Sequence, residues 1–233
     1  MPGTIESSQM AQLRKPIRRK KVLERGFSLF ELLIVVAITL VVAGFAIPGY
    51  LGMMRNLRIA GDIRDINATI ALAKMRAAQD FTHARVNAHL TLNTYALEVW
   101  DKAGNAGAGC WRTEGDAAHA CSASDSPTIP LSQGVNFGFG SATAGGLNPQ
   151  STIAQASPCT DSVAGGAAGN TLGNSSCIEF NSRGVPVASN GSPTANDALY
   201  ITDTNTVYGV TVIVSGLIQV WGTGASVTSW QAR

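Results

Sequence analysis

The longest hydrophobic segment of the chain is an uncharged, mostly apolar run from residue 32 to residue 54. As an α-helix this run would extend about 34 Å, which matches the hydrocarbon thickness of a bilayer. Gly44 and Pro48 interrupt it in its second half. Because proline lacks an amide donor and clashes with the preceding turn, we expect a membrane-spanning helix with a kink or an unwound stretch at these residues.

A second helical pattern follows the apolar run. Apolar residues recur at spacings of three and four, at Ile59, Ile63, Ile66, Ile70, Ala73 and Ala77. This period predicts an amphipathic helix that continues the first one to residue 82 and lays its apolar face on a sheet. A ligand groove is the alternative use of such a stripe. Core packing is favoured because the nearby charged residues fall mainly off the stripe.

The pattern then changes to the alternation that is typical of strands. Apolar positions alternate with polar ones over 86–92 and 95–99, and Asn93-Thr94 between them predicts a hairpin. Further alternating runs lie at 135–139, 178–180, 199–201, 210–214 and 218–220. Six or seven short strands and one long helix indicate an α+β fold, in which the helix packs on a β-rich antiparallel head formed by residues 83–233.

Residues 140–176 differ in composition from the rest of the predicted head. They are rich in Gly, Ala, Ser and Thr and contain a single charged residue, Asp161. Such a stretch has little apolar area to bury, so we expect a flexible surface insertion.

Charge is distributed unevenly along the chain. Of 17 basic residues, seven precede position 27: Arg14, Lys15, Arg18, Arg19, Lys20, Lys21 and Arg25. The remainder has 10 basic and 13 acidic residues, a net charge of −3. A basic tip before an apolar span predicts a cytoplasmic N-terminus, with the chain beyond the span on the other side of the membrane.

Four cysteines lie in the C-terminal half, at positions 110, 121, 159 and 177. They lack the close pairs of zinc ribbons, and an even number beyond a membrane span suggests disulfides in an oxidising compartment. Three pairings are open. We favour Cys110 with Cys121 and Cys159 with Cys177, because each bridge would close a short loop that has little apolar surface to hold it.

The residues before the apolar run look like a processing site. From Arg25 the chain reads R-G-F-S-L-F-E-L-L-I-V-V-A-I. A secretory signal is cut after its apolar region and a signal anchor is not cut, whereas here the site precedes the apolar region, so that the helix would be retained. Glycine suits such a site because it lets an extended backbone enter a protease cleft.

This segment resembles the class III signal of type IV pilins and of the pseudopilins of type II secretion. The resemblance implies that a prepilin peptidase cuts between Gly26 and Phe27, removes the leader 1–26 and methylates the new amine of Phe27, leaving 233 − 26 = 207 residues. Residues 27–54 would then form the transmembrane and polymerisation helix, and residues 55–82 its periplasmic half.

Glu31 is the ionisable residue of this apolar region. A carboxylate there is costly in lipid unless it finds a cationic partner. In the family that partner is the N-terminal amine of a neighbouring subunit, so the resemblance implies that Glu31 sets the register during assembly. The alternative is a carboxylate that reaches the membrane interface.

The C-terminal part carries a second resemblance. The chain reads C-I-E-F-N-S-R-G-V-P from Cys177, A-L-Y-I-T from Ala198 and Y-G-V-T-V-I-V-S-G-L-I-Q-V-W from Tyr208. This order of strands and turns resembles the core of the GspH/FimT class, although the closing strand G-L-I-Q-V-W lacks the basic residues common in relatives. Residues 103–176 are not covered by either resemblance.

Together these resemblances imply a GspH-like minor pseudopilin, part of a type II secretion pseudopilus that supports filament priming and protein secretion. The alternative is a FimT/FimU-like minor pilin of a type IV pilus, with a role in DNA uptake. The implied partners are sibling pilins or pseudopilins, prepilin peptidase, the inner-membrane assembly platform and membrane lipid. Nucleic acid is disfavoured because few residues after position 86 are basic: Lys102, Arg112, Arg183 and Arg233.

The sequence offers no recognisable carrier of catalysis, so we expect a protein that is not an enzyme and needs no cofactor. The three histidines lack the spacing of a zinc motif, and His119 between Cys110 and Cys121 fits a disulfide loop better than a metal site. Asp197 and Asp203 flank a predicted strand. Calcium contact is one use of such residues, and solvated turn residues are the favoured interpretation.

Overall fold

The computed structural model describes residues 27–123, 126–143, 150–166, 169–224 and 229–233, apart from the side chain of Pro48. The predicted leader 1–26, with Gly26 at its end, lies outside the described residues. The long helix α1 is Leu29–Gln79. By its internal contacts the chain divides into two units, Met1–Ile47 and Pro48–Arg233.

The described part of the first unit, residues 27–47, consists of the beginning of α1. Its large apolar side chains are exposed, among them Phe30 at 70% and Phe45 at 83%. Helix α1 is, within the described residues, the helix that is long and apolar enough to cross a membrane, and its apolar window is not buried by the protein. That exposure distinguishes it from the core helix of a soluble domain.

Helical structure continues through Gly44 and Pro48. The unwound stretch that the sequence suggested is therefore not present. A proline costs a helix one backbone hydrogen bond, and in an apolar segment the remaining amides gain most by staying in the helix. A kink at these residues stays a prediction.

In the second unit, the rest of α1 packs with two antiparallel sheets. The first sheet has the order β3-β2-β1-β6-β7, with β4 also paired to β2. Its strands are β1 (Ala84–His89), β2 (Thr94–Asp101), β3 (Cys110–Thr113), β4 (Ile129–Pro130), β6 (Ser175–Phe180) and β7 (Pro186–Val187). The second sheet has the order β11-β10-β9-β8-β5. Its strands are β5 (Asn136–Phe137), β8 (Asp197–Thr202), β9 (Thr206–Val212), β10 (Ile218–Gly224) and β11 (Gln231–Ala232).

The apolar stripe of α1 forms the centre of the main core. All six stripe residues, from Ile59 to Ala77, are at most 2% exposed. They share one cluster with Val86 and Ile178 of the first sheet and with Leu199 and Val210 of the second. The α+β fold with a long N-terminal helix and antiparallel sheets is thus confirmed, and the stripe serves packing, not a ligand groove.

The second sheet has a smaller core on its other face. Ala198 and Tyr200 alternate with Leu199 and Ile201 and therefore point away from α1. They pack with Ala142, Val207 and Trp230. Both faces of this sheet are therefore covered in the second unit.

The strand predictions differ from the structure at their ends. Leu92 and Val214 were expected in strands, and they lie in turns with side chains 71% and 49% exposed. Strand β3 was missed, because four residues are too few to establish a period of two. The two-residue strands β4, β7 and β11 were missed for the same reason.

The predicted insertion 140–176 is packed where it is described. Ala156 and Ala164 are buried, and the Ala156 amide donates to the Ala198 carbonyl of β8 at 2.7 Å. The side chain of Gln155 donates to the Tyr200 carbonyl at 2.9 Å and accepts from the Tyr200 amide at 2.9 Å. The prediction of a flexible insertion was based on the small apolar area of this stretch. Polar contacts with β8 and a disulfide hold the described part of it in place.

Candidate functional site

The N-terminus of α1 is capped by Ser28. Its hydroxyl oxygen accepts a hydrogen bond from the Glu31 amide at 3.2 Å, and its carbonyl accepts from the Leu32 amide at 3.2 Å. The order S-x-x-E before an apolar run is a sequence signature of a helix start. Sequence reasoning missed this role of Ser28, although the signature was present. The cap explains why the helix begins at Leu29, two residues after Phe27.

Glu31 lies in the first turn of α1, where the helix dipole favours a negative charge. The neighbouring Leu29, Phe30 and Leu32 are between 59% and 84% exposed. Among the residues that the structure describes, the Glu31 carboxylate has no ion-pair partner. The first turn therefore presents one carboxylate within an exposed apolar surface, four residues after Phe27.

In the head, both disulfides join the cysteines that the loop lengths favoured. Cys110 is bonded to Cys121 and Cys159 to Cys177. His119, inside the first loop, lies with its Nδ1 3.1 Å from Oδ2 of Asp101. Within the described residues there is no group of three or more His, Cys, Asp or Glu side chains placed to hold a metal ion.

Three basic side chains of the head, those of Arg85, Lys102 and Arg112, form hydrogen bonds within the protein, whereas Arg233 is exposed. The Lys102 ammonium donates to the Phe81 carbonyl at 3.0 Å, and Arg112 donates to the Asp116 carbonyl at 3.3 Å, with Asp101 3.8 Å away. Arg85 is 2% exposed. Arg183 is exposed. Such a surface offers little fixed positive charge to a phosphate backbone.

Two carboxylates, those of Glu179 and Asp197, line the same small cavity. Glu179 of β6 accepts from His83 Nδ1 at 2.8 Å and from the Ala164 amide at 2.9 Å. Asp197 of β8 is 8% exposed. Burial, and secondly the negative charge of Glu179, raises the pKa of Asp197 to about 7.

The expectation that Asp197 and Asp203 are solvated is wrong, and Asp197 lies in β8, whereas Asp203 does belong to a turn. Both are buried, and Asp203 Oδ1 accepts from the amides of Asn205 and Thr206 at 3.0 and 2.8 Å. The carboxylate of Asp203 closes the β8–β9 turn, a role common for Asp in turns. Local sequence did not signal the burial of Asp197, which depends on β6 and on the segment around Cys159.

An exposed apolar helix with a capped start and an antiparallel head is consistent with the pilin-like class of α+β folds. Within this class, the family model described as the prokaryotic N-terminal methylation motif matches residues 23–47. Comparison with curated proteins gave no match, and comparison with solved structures gave none either.

The chain is therefore a type IV pilin-like protein, with the prepilin-type motif at residues 23–47. The motif implies processing by prepilin peptidase and assembly with other pilins. The apolar helix suggests anchoring in a membrane.

Proposed function

We propose that this protein is a GspH-like minor pseudopilin of a type II secretion pseudopilus, where it supports filament priming and protein secretion. The observation that carries the proposal is the order of three features. A prepilin motif precedes an apolar helix that is not buried by its own chain, and the same helix ends inside the core of a β-rich head.

In this proposal the protein acts by assembly and is not an enzyme. Cleavage between Gly26 and Phe27 frees an amine and keeps the apolar helix. The N-terminus faces the cytoplasm and the head faces the periplasm. When the subunit leaves the bilayer, its apolar helix exchanges lipid for the helices of sibling subunits, which also bury apolar surface.

The role of Glu31 follows from the cost of a charge in lipid. An unpaired carboxylate at this depth is unfavourable, and the methylated amine of a neighbouring Phe27 carries the opposite charge. Pairing of the carboxylate with the amine would stabilise the subunit at one register in the filament. The capped first turn holds Glu31 at a fixed position relative to Phe27.

The second candidate function is a FimT/FimU-like minor pilin of a type IV pilus. The apolar helix and its N-terminal motif are equally suited to this role. A DNA-uptake function is disfavoured by the engaged or buried cations Lys102, Arg112 and Arg85. Deletion of the gene separates the two systems: we expect protein secretion to fail while pili still form, and the reverse outcome would assign the subunit to a pilus.

The experiment that tests processing is mass spectrometry of the N-terminal peptide from the native host. We expect a chain that begins with N-methylated Phe27. A Gly26→Leu variant should keep its leader and begin at Met1. A wild-type chain that begins at Met1, or beyond Tyr50, would overturn the proposed function.

A further inference from the structure

A cleft of about 750 Å³ lies on the head. Its floor is the face of the first sheet that points away from α1, because Arg85, Asn87 and His89 alternate along β1 with the core residues Val86 and Ala88. One wall is the loop closed by Cys110–Cys121. The other wall is formed by Asp161 and Leu172. The volume lies within the range of about 300–1,000 Å³ that is typical of small-molecule sites.

The two walls are tied together across the floor. Arg85 Nη1 donates to the Thr160 carbonyl at 2.5 Å, and its guanidinium carbon lies 3.9 Å from the ring centroid of Trp111. The indole of Trp111 donates to the Ser162 carbonyl at 3.2 Å. A disulfide anchors each side, Cys110–Cys121 on one and Cys159–Cys177 beside the other. The cleft is therefore preformed, which lowers the entropic cost of binding.

The floor contains a buried ion pair, in which Arg85 Nε donates to Glu98 Oε2 at 2.5 Å. Such a pair is seldom more stabilising than an apolar pair of similar volume, so stability alone does not account for it. Its charges cancel, and Asp161 adds a negative charge at the rim. An anionic ligand, including a nucleic acid or a lipid phosphate, is therefore disfavoured in this cleft.

Several polar groups in the cleft are free to bind a ligand. The His89 imidazole, the Asn105 amide and the Thr128 hydroxyl form no hydrogen bond with any described residue. They offer both donors and acceptors. None of the large apolar side chains that the head exposes lines the cleft, so it lacks the anchors that an apolar peptide would need.

We propose that this cleft is a binding site for a short, neutral oligosaccharide. Sugar hydroxyls act as donors and acceptors without a net charge, which matches His89, Asn105 and Thr128. The apolar faces of sugar rings match the disulfide and the half-buried Leu172. The site does not depend on the proposed role in a filament, and its test does not require assembly.

The experiment is isothermal titration calorimetry with the full chain in lipid nanodiscs, since detergents with sugar headgroups would compete. The probes are maltotriose, cellotriose and chitotriose. We expect at least one to bind with a stoichiometry of one. The double variant His89→Ala/Asn105→Ala should weaken this binding about tenfold or more, since it removes hydrogen bonds to the ligand. Arg183→Ala, an exposed head residue outside the cleft, should leave the binding unchanged.

Thr128→Ala is a second variant that does not disturb the Arg85–Glu98 pair, and it should weaken binding several-fold. Thermal unfolding checks that each variant is folded. The proposal is overturned if no trisaccharide binds at millimolar concentration, or if the double variant binds as well as the wild type. Preferential binding of a lysine-rich peptide over all three sugars would overturn it as well.

Discussion

Lys74 of α1 is held between two glycine turns, one from each sheet. Its ammonium donates to the Gly216 carbonyl at 2.9 Å, and its side-chain carbons pack on Gly184. Both glycines have positive φ, 71° at Gly184 and 74° at Gly216. A Cβ at Gly216 would lie 2.7 Å from the Gly184 carbonyl oxygen and 2.9 Å from Lys74 Nζ. These turns therefore fix α1 to the ends of both sheets.

We expect Gly216→Ala to lower the free energy of unfolding by about 2–4 kcal/mol, because it combines left-handed strain with a steric clash. Gly134→Ala is the matched control. Gly134 has a φ of 86° but nothing within 4 Å of the added Cβ, so that only the strain of about 1 kcal/mol applies. Urea denaturation followed by tryptophan fluorescence measures the free energy of unfolding of both variants, since all four tryptophans lie in the head. Equal losses in the two variants would contradict the close packing around Lys74.

Asp197 makes the stability of the head depend on pH. Its pKa of about 7 in the folded protein is above the ordinary value of 3.8. Between these two values the folded state keeps a proton that the unfolded state has lost. Stability is therefore expected to fall as the pH rises from about 4 to about 7, and to level off above that.

We expect Asp197→Asn to stabilise the head at pH 8 by roughly 2–4 kcal/mol more than at pH 4, because the amide removes the charge that burial and Glu179 oppose. The measurement is the free energy of unfolding of variant and wild type at both pH values. A variant whose advantage is the same at pH 4 and pH 8 would show that Asp197 is not the group responsible.

At the scale of elements, the disulfide Cys159–Cys177 joins the Gly/Ala-rich segment to the middle of the first sheet. Cys159 is 1% exposed, and its amide donates to the Ser175 hydroxyl at 2.9 Å. Cys110–Cys121 instead closes a loop at the edge strand β3. The two bridges therefore hold different parts of the head.

We expect the double variant Cys159→Ser/Cys177→Ser to lose about 3 kcal/mol and to become sensitive to protease within residues 150–166. Trypsin cannot report this, because residues 140–176 contain no lysine or arginine, so proteinase K is the suitable probe. The control Cys110→Ser/Cys121→Ser should be cut within residues 111–120 instead. Cleavage at the same sites in both variants would contradict separate roles.

Elements with a long periodic pattern of apolar residues could be predicted from the sequence. Features that depend on contacts between distant residues could not. The stripe from Ile59 to Ala77 repeats often enough to specify a helix face, and this face is buried. The end of the helix had no such signal. Phe81 has a φ of 49°, a conformation that usually favours glycine. This turn is stabilised by a hydrogen bond that the Thr82 amide donates to the Ala77 carbonyl at 3.1 Å.

The candidate site shows the same division. The prepilin motif and Glu31 could be recognised from adjacent residues. The cleft beneath Cys110–Cys121 could not, because its floor comes from β1 and β2 and its walls from segments some 50 residues apart, as between Trp111 and Ser162. Such a site depends on tertiary packing that no local pattern records.

At the scale of the whole molecule, the two units differ in where their apolar side chains lie. Residues 27–47 keep their apolar side chains exposed, which favours surroundings of lipid or of other apolar helices. Residues 48–233 bury a core of their own. Changes in the first unit should therefore affect assembly, and changes in the second should affect head stability.

Glu31 offers the sharpest test of this separation. We expect Glu31→Gln to insert into the membrane and keep the head's unfolding free energy, because residue 31 lies outside the head. Incorporation into filaments should fall about tenfold or more, since the loss of each 1.4 kcal/mol of pairing energy is about a factor of ten. Crosslinking to sibling subunits in the native host measures incorporation. Asp80→Asn, an exposed carboxylate at the end of α1, is the control and should crosslink as the wild type does. If Glu31→Gln also crosslinks at the wild-type level, no ion pair with a neighbouring amine governs assembly, and the apolar surface alone sets the position of the subunit.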